Sequence, residues 1–231
     1  MKICGINIAV SSKEITNSNG ENFKVYQSVG IVDYGMGNIS SLQNAISELG
    51  WLSSIISEPS ELLSYKKIIL PGVGAFCDAM KSIKEKGFLA PLNTFNNSRR
   101  DVLGICLGMQ LMCKSSEEDG FHEGLGWFDA EVEKMENLND VKIPHIGWND
   151  VKINKKNQLM NFIPDGSDFY FVHSYHVRCN NEFDILTKSS HGVNFVSSIQ
   201  NANLFGVQFH PEKSQDKGLC LIKNFLESQN A

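Results

Sequence analysis

The chain has 231 residues, room for one large domain or two small ones, and is 42% hydrophobic and 20% charged, a globular composition whose core needs no disulfide staples. An excess of 26 acidic over 21 basic residues gives a net charge of −5 and no broad cationic surface, which excludes extensive nucleic-acid or anionic-lipid binding. The longest apolar stretches, such as residues 67–73, fall well short of the ~18 residues of a membrane span.

Residues 1–28 form an N-terminal extension of no assigned role. Positions 13–22 (KEITNSNGEN) are polar and turn-rich, so residues 1–10 read as a separate strand-like piece or a loose arm. Cys4-Gly5-Ile6 could start an N-terminal-nucleophile enzyme only if Cys4 were the first residue, and Lys2 and Ile3 stand before it. From residue 29 short apolar runs alternate with amphipathic stretches. Residues 29–33 (VGIVD) predict a strand ending in the turn 35–38, and 40–49 a helix closed by Gly50. Residues 67–70 (KIIL) predict a second strand broken by Pro71-Gly72-Val73-Gly74. Helices follow at 78–87 and 89–96, then a strand at 101–105 (DVLGI) and a helix over 107–114. This βα alternation predicts a mostly parallel sheet with helices on both faces. The second half carries strand signals at 125–134, 150–153, 168–177, 195–199 and 205–209, hence an antiparallel extension, and a closing helix at 217–229. A single domain over 29–231 is the expected organisation.

Six cysteines are scattered, with no Cys-x-x-Cys pair, no zinc spacing and no secretory signal, so a reduced, cytoplasmic chain is expected. Of these, Cys106 has the setting of a reactive thiol. In Gly104-Ile105-Cys106-Leu107-Gly108 an apolar strand runs into a cysteine and then straight into a helix, as in a nucleophile elbow. Helix-start N–H groups near the sulfur favour a thiolate. On the pentapeptide alone, a buried structural cysteine is the equal alternative. His210-Pro211-Glu212 follows the strand 205–209 and supplies a base with a carboxylate two positions on to orient it. His122 and His191, in polar loops, are expected to face solvent. Pro71-Gly72-Val73-Gly74, again at a strand's C-terminal end, offers backbone N–H groups for an oxyanion.

Taken together, 32–38 (VDYGMGN), 70–76 (LPGVGAF), 104–110 (GICLGMQ), 144–149 (PHIGWN), 170–175 (YFVHSY) and 206–214 (GVQFHPEKS) make the chain, from about 29 to 226, resemble the triad (class I) glutamine amidotransferases. Within them it is similar to the glutaminase subunits of imidazole glycerol phosphate synthase. The resemblance implies a flavodoxin-like α/β fold, a Cys106–His210–Glu212 triad and no metal or cofactor. It implies glutamine contacts or oxyanion donors at Gly72, Val73, Gly74, Leu107, Gly108, Gln110, His173, Ser174 and Tyr175. It further implies a (β/α)8-barrel cyclase partner in a heterodimer, met through Asn38, Trp148, Tyr170 and Lys213, with ammonia passed to it for histidine biosynthesis. The turn 72–74 would need a peptide flip before it works. Other readings stay open: a paralogous glutaminase feeding amidination of a surface sugar, a non-catalytic binding subunit on the same scaffold, or a γ-glutamyl peptidase sharing the triad.

Overall fold

A computed structural model of the chain describes residues 28–136 and 141–228, with the backbone of four short strands before them. Lys2–Ile3 pairs antiparallel with Ile6–Asn7, and Ser12–Thr16 with Asn22–Tyr26, so strand reaches into the polar 13–22 stretch. Cys4 lies outside the described residues.

The first half alternates strand and helix: β1 (Ser28–Val32), α1 (Ile39–Glu48), β2 (Leu52–Ile56), β3 (Lys67–Gly72), α2 (Phe76–Glu85), α3 (Leu89–Asn97), β4 (Asp101–Cys106) and α4 (Leu107–Leu111). The second half is mostly strand: β5 (Ala130–Lys134), β6 (His145–Ile153), β7 (Ser167–His173), β8 (Tyr175–Cys179), β9 (Ile185–His191), β10 (Val193–Asn201) and β11 (Leu204–Val207), before the closing helix α5 (Gln215–Glu227). Strands β2-β1-β3-β4-β11 pair in parallel in that order. It is the doubly wound order in which ligands gather at the C-terminal edge of the strands. Antiparallel pairing continues from β11 through β10 to β8 and β5, while β6 and β7 form a hairpin joined to the sheet through β9.

Alternate residues of the parallel strands feed two cores. Ile31, Ile69, Leu103 and Ile105 pack with Leu42 and Ile46 of α1 and Ile222 and Phe225 of α5. Val32, Ile68, Leu70 and Val102 pack with Met80 and Ile83 of α2 and Leu92 and Phe95 of α3. Because both faces are covered, these strands read as continuous apolar runs. Lys67, at the start of β3, clamps the edge opposite the site. Its ammonium bonds Asp101 Oδ2 at 2.6 Å and the carbonyls of Phe225 and Ser228 at the C-terminal end of α5, where a cation suits the helix dipole.

Several boundaries differ from expectation. β3 runs through Pro71 and Gly72, which pair with Ile105 and Cys106, so the turn begins at Val73, beside the nucleophile candidate. α4 ends at Leu111, where the chain turns back and the carbonyls of Leu111, Met112 and Cys113 take N–H groups from Leu125, Trp127 and Gly126. Those bonds make 125–129 a loop. The 168–177 run splits at Ser174, because β7 pairs with β6 and β8 with β5 and β10. Strands β2 and β9 carried no sequence signal. Cys77, Cys106, Cys113 and Cys179 are free thiols, whereas Cys220 is disulfide-bonded, against the expectation of a fully reduced chain. No helix among the described residues is long and apolar enough to cross a membrane.

Candidate active site

All six residues of β4 are buried, and the strand delivers Cys106 to its C-terminal tip. There the backbone turns at φ 52° and ψ −111°, a strained conformation for a residue with a side chain, and α4 starts at the next position. The elbow closes because Gly108 lets α4 lie against β3. A Cβ at 108 would stand 1.8 Å from the Leu70 carbonyl oxygen, which no adjustment of a side chain could relieve. Gly108 is therefore a packing residue and is absent from the cavity lining expected of it.

His210 follows β11, with its N–H bonded to the Tyr170 carbonyl at 2.8 Å. Ser214 pins the same corner, donating to the His210 carbonyl and accepting from the Tyr170 N–H. The imidazole Nδ1 donates to Glu212 Oε1 at 2.8 Å, with both side chains almost wholly buried. That bond fixes the tautomer and leaves Nε2 buried with no hydrogen-bond partner among the described residues. Burial pulls the imidazolium pKa down, but Cys106 and Glu212 beside it outweigh burial and push it up to about 9. Such a base accepts a thiol proton readily.

Cys106 and His210 share a cavity of about 330 Å³. Val73, Gly74, Leu107, Gln110 and the His173-Ser174-Tyr175 stretch also line it, bringing most of the expected glutamine-site residues together. Gly72 instead faces a smaller cavity with Asn38, behind His210 and Glu212. As the first residue of α4, Leu107 has an N–H without a partner inside the helix, free to receive an oxyanion. The turn is set differently. The Val73 N–H donates to the Met36 carbonyl at 3.4 Å, so it is engaged outside the cavity. Gly74 holds φ +103°, the left-handed region that favours glycine. Tyr34 anchors the turn from beneath, its hydroxyl donating to the Pro71 carbonyl at 2.7 Å. Burial, with Cys106 nearby, raises its pKa.

The 173–175 stretch is held by a histidine network. His173 Nδ1 donates to the Tyr175 carbonyl at 2.8 Å, so its Nε2 accepts from His145 Nδ1 at 2.9 Å. His145 Nε2 in turn accepts from Asn149 Nδ2 at 3.2 Å. Contrary to expectation, His191 is packed, stacked on His145 with ring centroids 4.1 Å apart. Burial, with lesser help from His191, lowers the His145 pKa to about 4, and burial lowers that of His173 to about 3. An unfolded histidine titrates near 6.5. As pH falls from about 6.5 to 4, the unfolded chain therefore binds protons that the folded chain refuses, and stability declines, by at most ~1.4 kcal/mol per pH unit for each ring. Urea unfolding across this range should show a shallower pH dependence in His145→Gln than in the wild type. An unchanged slope would mean that the ring protonates freely in the fold.

Of the four expected interface residues, three cluster. Trp148 and Tyr170 are register partners on β6 and β7, with rings edge-to-face at 6.1 Å, and the Lys213 ammonium lies 5.8 Å from the Tyr170 ring centre. Trp148 is 49% exposed and Ile146, two residues back on the strand, 60%, an apolar patch beside the site. Asn38 stands apart, on the small cavity behind His210.

Five residues at the site had been given no role from sequence. Tyr34, His145, Val172 and Gln208 lie inside the recognised motifs, so proximity to the motif cores was their only signal. Glu118 lies in a polar acidic run that gave none. It lines the cavity while its Oε2 accepts the Phe76 N–H at the start of α2.

A family model, Glutamine amidotransferase class-I, matches residues 30–228. Among curated proteins the chain is similar to imidazole glycerol phosphate synthase subunit HisH of Sulfurimonas denitrificans, 42% identical over 87% of this chain and 99% of the relative. It is also similar to subunit HisH 2 of Vibrio vulnificus, 46% identical over 85% and 92%. Among solved structures, PurLQS from Thermotoga maritima aligns at a TM-score of 0.70, with 16% identity over 87% of this chain and 98% of that one, a likeness of fold.

Proposed function

The chain belongs to the class I glutamine amidotransferase family, and we propose that it is the glutaminase subunit of an imidazole glycerol phosphate synthase, with Cys106 as nucleophile. The observation that carries this reading is the cavity in which Cys106 meets the free Nε2 face of a His210 oriented by Glu212.

His210 takes the thiol proton, and the sulfur attacks the side-chain carbonyl carbon of glutamine. The resulting oxyanion rests on the Leu107 N–H and, once reoriented, on an N–H of the 72–74 turn. The C–N bond breaks as His210 returns the proton to nitrogen, releasing ammonia and leaving a glutamyl thioester. His210 then deprotonates a water that attacks the thioester. Thiolate leaves, is reprotonated, and glutamate departs. Both hydrogens of Gln110 Nε2 are engaged, with the Tyr175 carbonyl and Gln208 Oε1, so Gln110 offers its carbonyl oxygen to the substrate ammonium. Glu118 supplies the matching negative charge.

Ammonia is useful only if it reaches a second site unprotonated. The exposed Ile146, Trp148 and Lys213 with the half-buried Tyr170 beside them, and Asn38 on its separate cavity, receive a (β/α)8-barrel cyclase in the cytoplasm. Residues 29–231 make up the amidotransferase unit and 1–28 extend it. The test is rescue of a histidine auxotroph that lacks its own glutaminase subunit but keeps the cyclase. Growth without added histidine, lost in Trp148→Ala through weaker docking, is the expected result. No growth from a well-expressed chain that still releases glutamate in vitro would overturn the histidine assignment in favour of a sugar-amidination partner.

A further inference from the structure

The mechanism above leaves two groups at the sulfur without a role: the Val172 carbonyl, which accepts from the Cys106 thiol at 3.9 Å, and the Gln208 amide, the one of the two that can donate to it. The Gln208 side chain is fully buried one residue beyond β11, and its Nε2 lies 3.6 Å from Cys106 Sγ, within hydrogen-bond range for sulfur. Which end of this amide faces the sulfur follows from its neighbours. The Tyr175 carbonyl can only accept, so the Gln110 atom 3.1 Å from it is the amide nitrogen. That nitrogen also lies 3.0 Å from Gln208, which must present its oxygen there. The Gln208 nitrogen is thereby turned to Cys106. From the other side, His173 donates to the same Tyr175 carbonyl, and its own orientation is set by His145 and Asn149. Every donor in this chain meets an acceptor, and the chain ends on the nucleophile.

We propose that Gln208 is a further catalytic residue, an amide donor that holds the Cys106 sulfur and stabilises its thiolate opposite His210. The proposal rests on Cys106 being the nucleophile. Its physical basis is that a donor pre-oriented in a buried site favours the charged form of its acceptor and meets no reorganisation as the charge develops. When the thioester forms the sulfur loses its charge, and the bond weakens. Gln208 thus acts on the attack and on the expulsion of thiolate from the thioester.

The test is the pH dependence of Cys106 alkylation by iodoacetamide, read on the Cys106 peptide by mass spectrometry in the full chain. The other titratable groups around the sulfur are His210 and Tyr34, with Glu118, His173 and Tyr175 on the shared cavity, and all are retained in the variants. Gln208→Glu keeps an oxygen for Gln110 but turns a carboxylate oxygen toward the sulfur. Its alkylation midpoint should rise by about one pH unit or more, and glutamine turnover at neutral pH should fall at least about tenfold, as the thiolate fraction does. Gln208→Met, which removes the donor at similar volume, should move the midpoint in the same direction by less. A merely structural role would lower melting temperature without moving the midpoint. Should both variants fail to fold, the wild type still decides. Its Gln208 side-chain amide resonance should shift with pH at the alkylation midpoint and shift again when Cys106 is alkylated, and a resonance indifferent to both would overturn the proposal. A folded Gln208→Glu with an unchanged midpoint and turnover would also overturn it. Full glutamine turnover by Cys106→Ser would instead sink the nucleophile reading beneath it.

Discussion

Cys106→Ala is expected to lower glutamine hydrolysis by on the order of 10⁵-fold or more, to the level left by binding and oxyanion contacts alone. The size follows from the chemistry: Cys106 is the thiol on the described cavity wall, and the acyl intermediate formed on it under the control of His210 is lost with it. Alanine keeps the Cβ, so the elbow at φ 52° is no more strained than with cysteine. Triad members act as a unit, so adding His210→Ala to the Cys106→Ala variant should cost almost nothing more. The cyclase reaction driven by added ammonia at alkaline pH should proceed at the wild-type rate in the reconstituted complex, because free ammonia bypasses the site. Steady-state glutamate release and ammonia-dependent turnover, measured side by side, separate the two. A variant that retained glutamine turnover would place the chemistry elsewhere.

The second large effect concerns the resting state. Alone, the chain should hydrolyse glutamine slowly, and saturating cyclase partner should raise kcat by about 10²- to 10³-fold, the usual value of one oxyanion donor. In the described conformation the Val73 N–H is committed to Met36, leaving the Leu107 N–H as the ready donor. At 3.4 Å the Val73 bond is long and weak, and the neighbouring Gly74 tolerates large backbone rotation, so reorienting the peptide is inexpensive once docking favours it. Glutamate release at saturating glutamine, with and without partner, is the measurement. A lone chain already at the full rate would show that the turn needs no rearrangement.

Much of this was legible from residue order. The apolar runs of β1, β3 and β4 marked a parallel sheet because both of its faces are covered, and the GICLG and HPE pieces marked the two strand ends that bring Cys106 and His210 to one cavity. β2 was invisible because it is an edge strand, with Ser53 and Ser54 where a central strand would carry aliphatic residues. β9 was invisible because part of its buried face is hydroxylic: Thr187 bonds the hydroxyls of Ser197 and Ser198 on β10. Gly108 shows the limit of motif reading. The resemblance implied substrate or oxyanion contact there, whereas the close approach of α4 to Leu70 already requires a glycine. Gln208 and His145 sat inside recognised motifs, but their roles depend on hydrogen bonds between segments up to 102 residues apart, which no local pattern encodes.

The central claim is tested most directly by trapping the nucleophile. Treating the chain with a glutamine analogue carrying an electrophile at the side-chain position, then mapping the modified peptide by mass spectrometry, should give one adduct, on Cys106, suppressed by excess glutamine. Modification of Cys77 or Cys179 with Cys106 untouched would contradict the account.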